Sequence, residues 1–435
     1  MKNRLNWVLK HRKMALSVIF LIALALRLVV AFLYSRLGED FWFTTDFQYD
    51  LIASNIAAGK GYYIDGDYLE GLGRAFTGRE KIYSFRSPLY PYTLAAVYKT
   101  FGRDPLAVGI FQALISSLTV LLLFWIGRKF FDEKVGLGAA FVAAIYPYSI
   151  YHDVRVFDTF LFELLLGLLI LGILRLTESP TPLNGMLTGL LMGLAIHCRS
   201  SFATFTAFLF LPFLISYRFR LRQIVRMALP LILAEVLVLS PWLLRNYLIH
   251  GKFTLSTYGG WNFLLGNNEL TRREILDGGE IDQALSRSLR DSSITLANLT
   301  EPEMDRWFYR KGIEFIKSHP GDFLELLWLK TLNLWSIRLN PPTDPPWKGL
   351  IYSLSYGTVL FLSLPGIAIS LKKWRNFFLL YLLFIYFTVS YVPFITLSRY
   401  RKPLDPYLAM FGIYGLIHLY QKISWRRSYA KVYPT

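Results

Sequence analysis

The sequence predicts an all-α polytopic membrane protein of about ten transmembrane helices, with amphipathic helices lying at one membrane face. Three observations carry this: an apolar surplus too large for water, apolar runs of membrane-crossing length, and an alternation of charge between the connecting loops. The 435 residues are 54% hydrophobic and only 18% charged, whereas soluble chains average about 45–50% apolar and about 25% charged. Counting the 30 glycines in place of the 27 tyrosines hardly changes the apolar share. The same composition excludes disorder, which needs few apolar and aromatic residues. One cysteine, Cys198, excludes an internal disulfide framework and a cysteine-based zinc site.

Runs able to cross a hydrocarbon core of about 30 Å fall at 14–34, 105–127, 136–151, 156–174, 183–198, 202–217, 224–244, 349–371, 377–396 and 403–421. The first is too long for a cleavable signal, carries Arg27 and lacks a small-x-small cleavage site, so it is read as a retained span. Alternate loops are rich in Lys and Arg: Lys2 to Lys13, Arg128 to Lys134, Arg175, Arg218 to Arg226, Lys372 to Arg375 and Lys422 to Lys431. The positive-inside rule assigns these loops and both termini to the cytoplasm of a multi-pass protein in the inner (plasma) membrane. The net charge of +17 is therefore a topology and lipid-contact signal, and no nucleic-acid partner is implied.

By parity, two long segments, 35–104 and 245–348, lie outside. The chain then divides into an N-terminal transmembrane module, 1–244, that includes the first outer loop; the second outer segment, 245–348; and the C-terminal helices with their basic tail, 349–435. Within the second segment, Glu303–Ser318 and Gly321–Ile337 have helical spacing. Phe323, Leu326, Leu327, Leu334 and Trp335 form an apolar side interrupted by Glu325 and Lys330, which reads as an interfacial helix.

Ionisable residues inside spans cost several kcal/mol unless they are paired or face a cavity. Arg27, Asp158, Glu163, Glu235 and Asp405 are of this kind. Asp158, two residues inside the outer end of its span and just after Asp153, is placed to face an outer cleft. In the first outer loop, Thr45 reads as a helix N-cap, and Asp46, Tyr49 and Asp50 share a helix face at three- and four-residue spacing. Arg86, in Ser84-Phe-Arg-Ser-Pro-Leu-Tyr90-Pro91, stands before a proline-stiffened re-entry to the membrane. Arg199, Arg245, Arg399 and Arg401 reach the same outer surface against the positive-inside trend. Guanidinium suits phosphate because its planar fork binds two oxygens and stays charged. The set Tyr49, Asp50, Tyr90, Asp153 and Arg199 is read as lining the substrate pocket.

In this order the pieces look familiar. They run Asp46-x-x-Tyr49 with Gly59-Lys-Gly-Tyr62, Arg86-Ser-Pro-Leu-Tyr-Pro91, Tyr146-Pro147, Pro241-Trp-Leu-Leu-Arg-Asn246, Gly259-Gly-Trp-Asn262, Glu303-Met-Asp-Arg306 and Arg399-Tyr-Arg-Lys-Pro-Leu-Asp-Pro406. The chain resembles the GT-C glycosyltransferases, specifically bacterial relatives of the dolichyl-phosphate-mannose protein mannosyltransferases (glycosyltransferase family 39) and the lipid A aminoarabinose transferases. The resemblance implies a GT-C-type fold and transfer of a sugar from a polyprenyl-phosphate donor to a glycan, lipid or protein acceptor at the outer face. It implies Asp46 as general base, a second catalytic carboxylate at Asp158 where the family commonly has Glu, and Arg86 as a donor-phosphate ligand. Arg245, Arg399 and Arg401 match recurring basic positions.

The chemistry is consistent with this. A sugar on a lipid phosphate already has a good leaving group, so cations and one outward carboxylate suffice. No cofactor is expected to be required. A divalent metal held by His152 with Asp153, or by Asp46 with other loop acids, is conceivable, although no tight His pair or HExxH motif is present. A transporter or flippase of an isoprenoid-linked or anionic substrate is the competing class. It has no support from inverted halves or paired broken helices.

Overall fold

The computed structural model describes residues 10–37, 47–65, 80–215, 220–277, 299–339 and 346–432, with short pieces between 284 and 296; the side chains of Phe47, Leu221, Asp277 and 424–432 are not described. Asp46 and Thr45 lie outside the described residues.

Helices dominate, and their ends are written in the sequence. Helix α1 spans Arg12–Ser35, α2 Phe47–Ala57, α3 Leu89–Phe101 and α4 Pro105–Phe130. Helices α5 (Glu133–Ile145), α6 (Pro147–Asp153), α7 (Thr159–Glu178) and α8 (Pro182–Cys198) follow. Asp104 caps α4 by accepting from Leu106 and Ala107 N–H, with Pro105 next. Asp132 accepts from Val135 N–H at α5, and Thr181 from Asn184 N–H at α8, again followed by proline. Each such cap is worth about 1 kcal/mol, and proline at the first helical position loses nothing.

Then come α9 (Leu221–His250), α10 (Gly259–Gly266), α11 (Glu301–Ser318) and α12 (Pro320–Leu334). Helices α13 (Pro346–Ser370), α14 (Trp374–Tyr391) and α15 (Asp405–Val432) complete the chain. The described strands are β1 (Ile64–Asp65) and β2 (Lys81–Ile82), paired antiparallel with Ile64 opposite Ile82.

Five described segments are long and apolar enough to cross a membrane: Arg12–Ser35, Pro105–Phe130, Thr159–Glu178, Arg222–His250 and the stretch Pro346–Tyr391, which holds α13 and α14. The chain is a multi-pass membrane protein. Two expected spans are broken. The run 136–151 divides at Tyr146, whose ψ of 110° is extended, because the following proline crowds a helical conformation there. The run 202–217 becomes a 3₁₀ turn, Ser200–Thr204, and two short helices, Phe205–Phe208 and Leu211–Ile215. The last helix, by contrast, runs well past 421.

Where helices meet closely, glycine makes it possible. A Cβ on Gly189 of α8 would lie 2.0 Å from the Leu231 carbonyl oxygen on α9. One on Gly366 of α13 would lie 1.8 Å from the Phe411 carbonyl oxygen on α15. Close backbone approach of this kind supplies the van der Waals contact that holds helices together in lipid.

Most of the charges flagged inside the apolar runs are paired, Glu235 being the exception. Arg27 of α1 reaches Asp153 at 2.8 Å, and Lys402 reaches Asp153 at 2.6 Å and Glu163 at 2.8 Å. Two cations thus meet two carboxylates, and all four are buried. Closure matters, because an unpaired ion there costs several kcal/mol. Arg401 pairs with Asp405 at 2.9 Å, and Tyr146 donates to the same carboxylate. Glu235 accepts from Thr206 at 2.9 Å.

The two long connecting segments share one apolar cluster. Ile52, Tyr62, Ile64, Ile82 and Phe85 from the first pack with Trp261, Leu264, Met304 and Phe308 from the second, over Trp242 of α9. Glu301, fully buried, staples them: it accepts from Tyr83 N–H at 2.7 Å, Ser84 N–H at 3.1 Å and the Thr257 hydroxyl at 3.1 Å. Helices α11 and α12 match the two expected amphipathic helices. Lys330 does not merely interrupt an apolar side: it is buried and caps α10, donating to Gly266 O at 3.0 Å and Asn267 Oδ1 at 3.2 Å. The opposite face of α12 exposes Leu324, Trp328 and Leu332.

Candidate active site

A cleft of about 540 Å³ opens where the two connecting segments meet the ends of α7, α8, α9 and α14. Among the described residues, three guanidinium groups line it, Arg86, Arg199 and Arg399, with two carboxylates, Asp158 and Asp305.

Arg86 stands two residues before Pro88, which fixes the turn into α3. Tyr62 secures the backbone there by donating to Arg86 O at 2.8 Å. The Arg86 side chain donates to Gln48 Oε1 at 2.5 Å. It lies over the rings of Tyr49, at 5.0 Å, and Tyr258, at 4.9 Å. Aromatic faces hold a cation in place without consuming its hydrogen-bond donors. Tyr49 in turn packs edge-on against Tyr90.

Arg199 follows the last turn of α8. It binds Asp158 at both oxygens, Nε to Oδ2 at 2.8 Å and Nη2 to Oδ1 at 3.0 Å, and reaches Thr159 Oγ1 at 2.6 Å. Its Nη1 is buried and has no hydrogen-bond partner among the described residues. The neighbouring Ser200 N–H donates to Ser87 Oγ at 3.0 Å, tying the Arg199 turn to the Arg86 turn. Arg399 rests on Phe157 at 5.2 Å.

Asp305 of α11 accepts from Gly260 N–H at 2.6 Å, and burial pushes its pKa up to about 6. The resemblance had included Asp305 only as part of a motif, with no role. Asn262, Tyr258 and Tyr309 also line the cleft. Nothing local marks them, since the Gly260–Asp305 contact joins residues 45 apart in sequence.

Five of the residues expected at the site do not line the cleft. Asp50 is only 3% exposed and is held by Arg103 at 2.8 Å and by the Tyr98 hydroxyl at 2.7 Å. Tyr90 is buried, donating to Gln112 at 2.6 Å. Asp153 is neutralised by Arg27 and Lys402. Arg245 donates to Tyr62 O at 2.7 Å, Tyr83 O at 2.8 Å and Asn246 Oδ1 at 2.7 Å, and so fastens the first connecting segment to α9. Arg401, 1% exposed, donates to Asp405, Leu334 O and the Tyr352 hydroxyl and sits 3.3 Å from the centre of the Tyr356 ring. In each case a nearer protein partner has taken the charge or the hydrogen bond. Tyr49, Arg86, Asp158, Arg199 and Arg399 are the expected residues that the cleft does gather.

Among the described residues no group of three His, Cys, Asp or Glu side chains is arranged to hold a metal. His152 is enclosed by aromatic rings, Tyr148 at 4.4 Å and Tyr151 at 5.0 Å.

The sequence profile of the dolichyl-phosphate-mannose-protein mannosyltransferase family matches residues 86–244. No curated protein matches the sequence. Among solved structures, the oligosaccharyltransferase of Archaeoglobus fulgidus in its apo form superposes with a TM-score of 0.57 at 13% identity, covering 96% of this chain and 52% of that one. The oligosaccharyltransferase AglB from the same organism, in complex with an inhibitory peptide and a dolichol-phosphate, gives 0.58 at 14% identity, covering 99% and 53%. The Archaeoglobus fulgidus oligosaccharyltransferase tethered to an acceptor peptide gives 0.59 at 15%, covering 97% and 51%. This chain thus spans about half the length of the structures it matches. Identity this low speaks to architecture alone. The chain is a polytopic membrane protein that shares the fold of the archaeal oligosaccharyltransferase, and its residues 86–244 match the mannosyltransferase family profile.

Proposed function

We propose that the protein is a membrane glycosyltransferase that moves a sugar from a polyprenyl-phosphate donor to a hydroxyl of a glycan, lipid or protein acceptor. The observation that carries this reading is the convergence of Arg86, Arg199 and Arg399 on one cleft. Among the described residues, three guanidinium groups against two carboxylates make a site for an anion. The fold and the mannosyltransferase-like segment add support, as does the dolichol-phosphate captured by the archaeal relative.

In this mechanism the bond between the anomeric carbon and the phosphate oxygen breaks, and its electron pair leaves with the phosphate. The arginines stabilise that charge, so no acid is needed to protonate the leaving group. The acceptor oxygen attacks the opposite face and inverts the anomeric carbon, while its proton passes to a carboxylate. Asp46 is assigned that base. Asp158 has both oxygens occupied by Arg199 and serves to orient that arginine. The basic loops favour cytoplasmic termini and a cleft on the outer side. A cofactor has no assigned step.

Purified protein incubated with labelled polyprenyl-phosphate sugars and a cell-envelope acceptor tests the reading. The expected result is label on the acceptor and free polyprenyl phosphate, both lost in Asp46→Asn with folding intact. Donor moved across a vesicle membrane without cleavage would point instead to a transporter, and an active Asp46→Asn enzyme would remove the assigned base.

A further inference from the structure

The cleft has a second polar wall for which the phosphate-gripping arginines give no use. Asp305 and Tyr309 of α11 and Asn262 of α10 form it. Its shape is fixed by backbone contact: a Cβ on Gly260 would lie 2.0 Å from the Asp305 carbonyl oxygen, and one on Gly259 would lie 2.5 Å from the Tyr309 hydroxyl. The Gly260 N–H holds Oδ1 of Asp305 at 2.6 Å and so orients the carboxylate. Oδ2 of Asp305, the Asn262 side-chain amide and the Tyr309 hydroxyl make no hydrogen bond to any described residue. No cation within salt-bridge distance neutralises Asp305 among the described residues. Beside these groups Phe394 gives the cleft an apolar surface, packed at 6.5 Å from the Tyr309 ring.

An acceptor-rich trio with one negative charge repels phosphate, and a lipid tail would leave all three groups unsatisfied. Neutral vicinal hydroxyls beside an apolar plane satisfy both surfaces, because a sugar ring offers donors at its edge and C–H groups on its face. We propose that Asp305, Asn262 and Tyr309 form a subsite that hydrogen-bonds the hydroxyls of a sugar ring lying against Phe394. The inference rests on the reading of the cleft as a sugar-transfer site. The ring belongs either to the donor sugar or to a glycan acceptor, which offer the same chemistry.

The test uses the full chain in lipid nanodiscs. Binding is measured for bare undecaprenyl phosphate and for a panel of undecaprenyl-phosphate hexoses and pentoses, and transfer is measured to maltotriose as a neutral oligosaccharide acceptor. For a donor subsite, wild type binds at least one sugar phosphate about tenfold more tightly than bare phosphate. Asp305→Asn and Asn262→Ala each abolish that gain; Asn262→Ala leaves the affinity for bare phosphate within about twofold, and Asp305→Asn, which removes a like charge, leaves it no weaker. For an acceptor subsite, the gain persists in the variants and the KM for maltotriose rises about tenfold instead. Asp305→Asn keeps an oxygen for Gly260 N–H, so undiminished affinity for bare phosphate also certifies its fold. Variants that match wild type in both measurements overturn the subsite, as does a wild type that neither gains from any sugar nor saturates with maltotriose. Failure of bare undecaprenyl phosphate to bind wild type would strike the phosphate reading of the cleft, which is a separate result.

Discussion

Arg199 closes on both oxygens of Asp158, Nε to Oδ2 at 2.8 Å and Nη2 to Oδ1 at 3.0 Å, at the wall of the cleft. The pair fixes the Arg199 guanidinium and the Asp158 carboxylate against each other at that wall. Asp158→Ala strands a buried cation and should cost about 3–5 kcal/mol of stability. Replacing both partners, as Asp158→Leu with Arg199→Met, should recover much of that loss, because no charge remains buried. Transfer should stay abolished in the double variant. Thermal unfolding in detergent and a transfer assay read the two effects separately; restored activity would deny Arg199 its role at the phosphate.

Arg86 and Arg245 look equivalent in the sequence and should fail differently. Arg86→Ala removes a cation from the cleft and should lower transfer at least a hundredfold, about 3 kcal/mol of lost transition-state stabilisation. Arg245→Ala orphans the Tyr62 and Tyr83 carbonyls that it now satisfies. It should cost about 2–3 kcal/mol of stability, and activity per folded molecule should fall less than tenfold. Unfolding and single-turnover transfer, measured side by side, decide it.

Asp305 predicts a pH dependence. Burial raises its pKa to about 6, against the Gly260 N–H and the Arg306 charge, which both pull it down; α10, packed against it, contributes no titratable group. The carboxylate is ionised above that value, so sugar affinity should be full at pH 8 and roughly tenfold weaker at pH 5. In Asp305→Asn the profile should be flat over this interval. For stability the sign is opposite. An acid whose folded pKa is raised favours folding at low pH and gives that contribution up as pH rises through about 6. At pH 8 Asp305→Asn should therefore melt no lower than wild type, the usual trade between a functional charge and stability.

The α8–α9 contact gives a packing prediction. Gly189→Ala forces a methyl carbon to 2.0 Å from the Leu231 carbonyl oxygen and must separate the helices. A loss of about 1–3 kcal/mol or more is expected. Gly349→Ala meets nothing within 4 Å and should be neutral. Expression and unfolding midpoints of the two variants provide the comparison; equal behaviour would mean that this contact does not hold the fold.

By itself the sequence determined the all-helical, multi-pass character and the places of the long apolar helices. Crossing a bilayer is a property of one segment at a time, the sum of its side-chain transfer energies, and α1, α4, α7 and α9 fall where the apolar runs at 14–34, 105–127, 156–174 and 224–244 lie. The breaks at Tyr146 and around Pro212 escaped it, because whether proline or burial wins depends on what the segment packs against. The sequence also reached Arg86, Asp158, Arg199 and Arg399, since a charge near the end of an apolar run needs a reason. Only the tertiary structure decided which charges stay available. Arg401 has Asp405, Arg245 has two backbone carbonyls, and Asp153 has a lysine from 249 positions away. Asp305 reaches the cleft through a contact with Gly260. Neutralisation belongs to pairs of residues, and no reading along a single chain contains the distance between them.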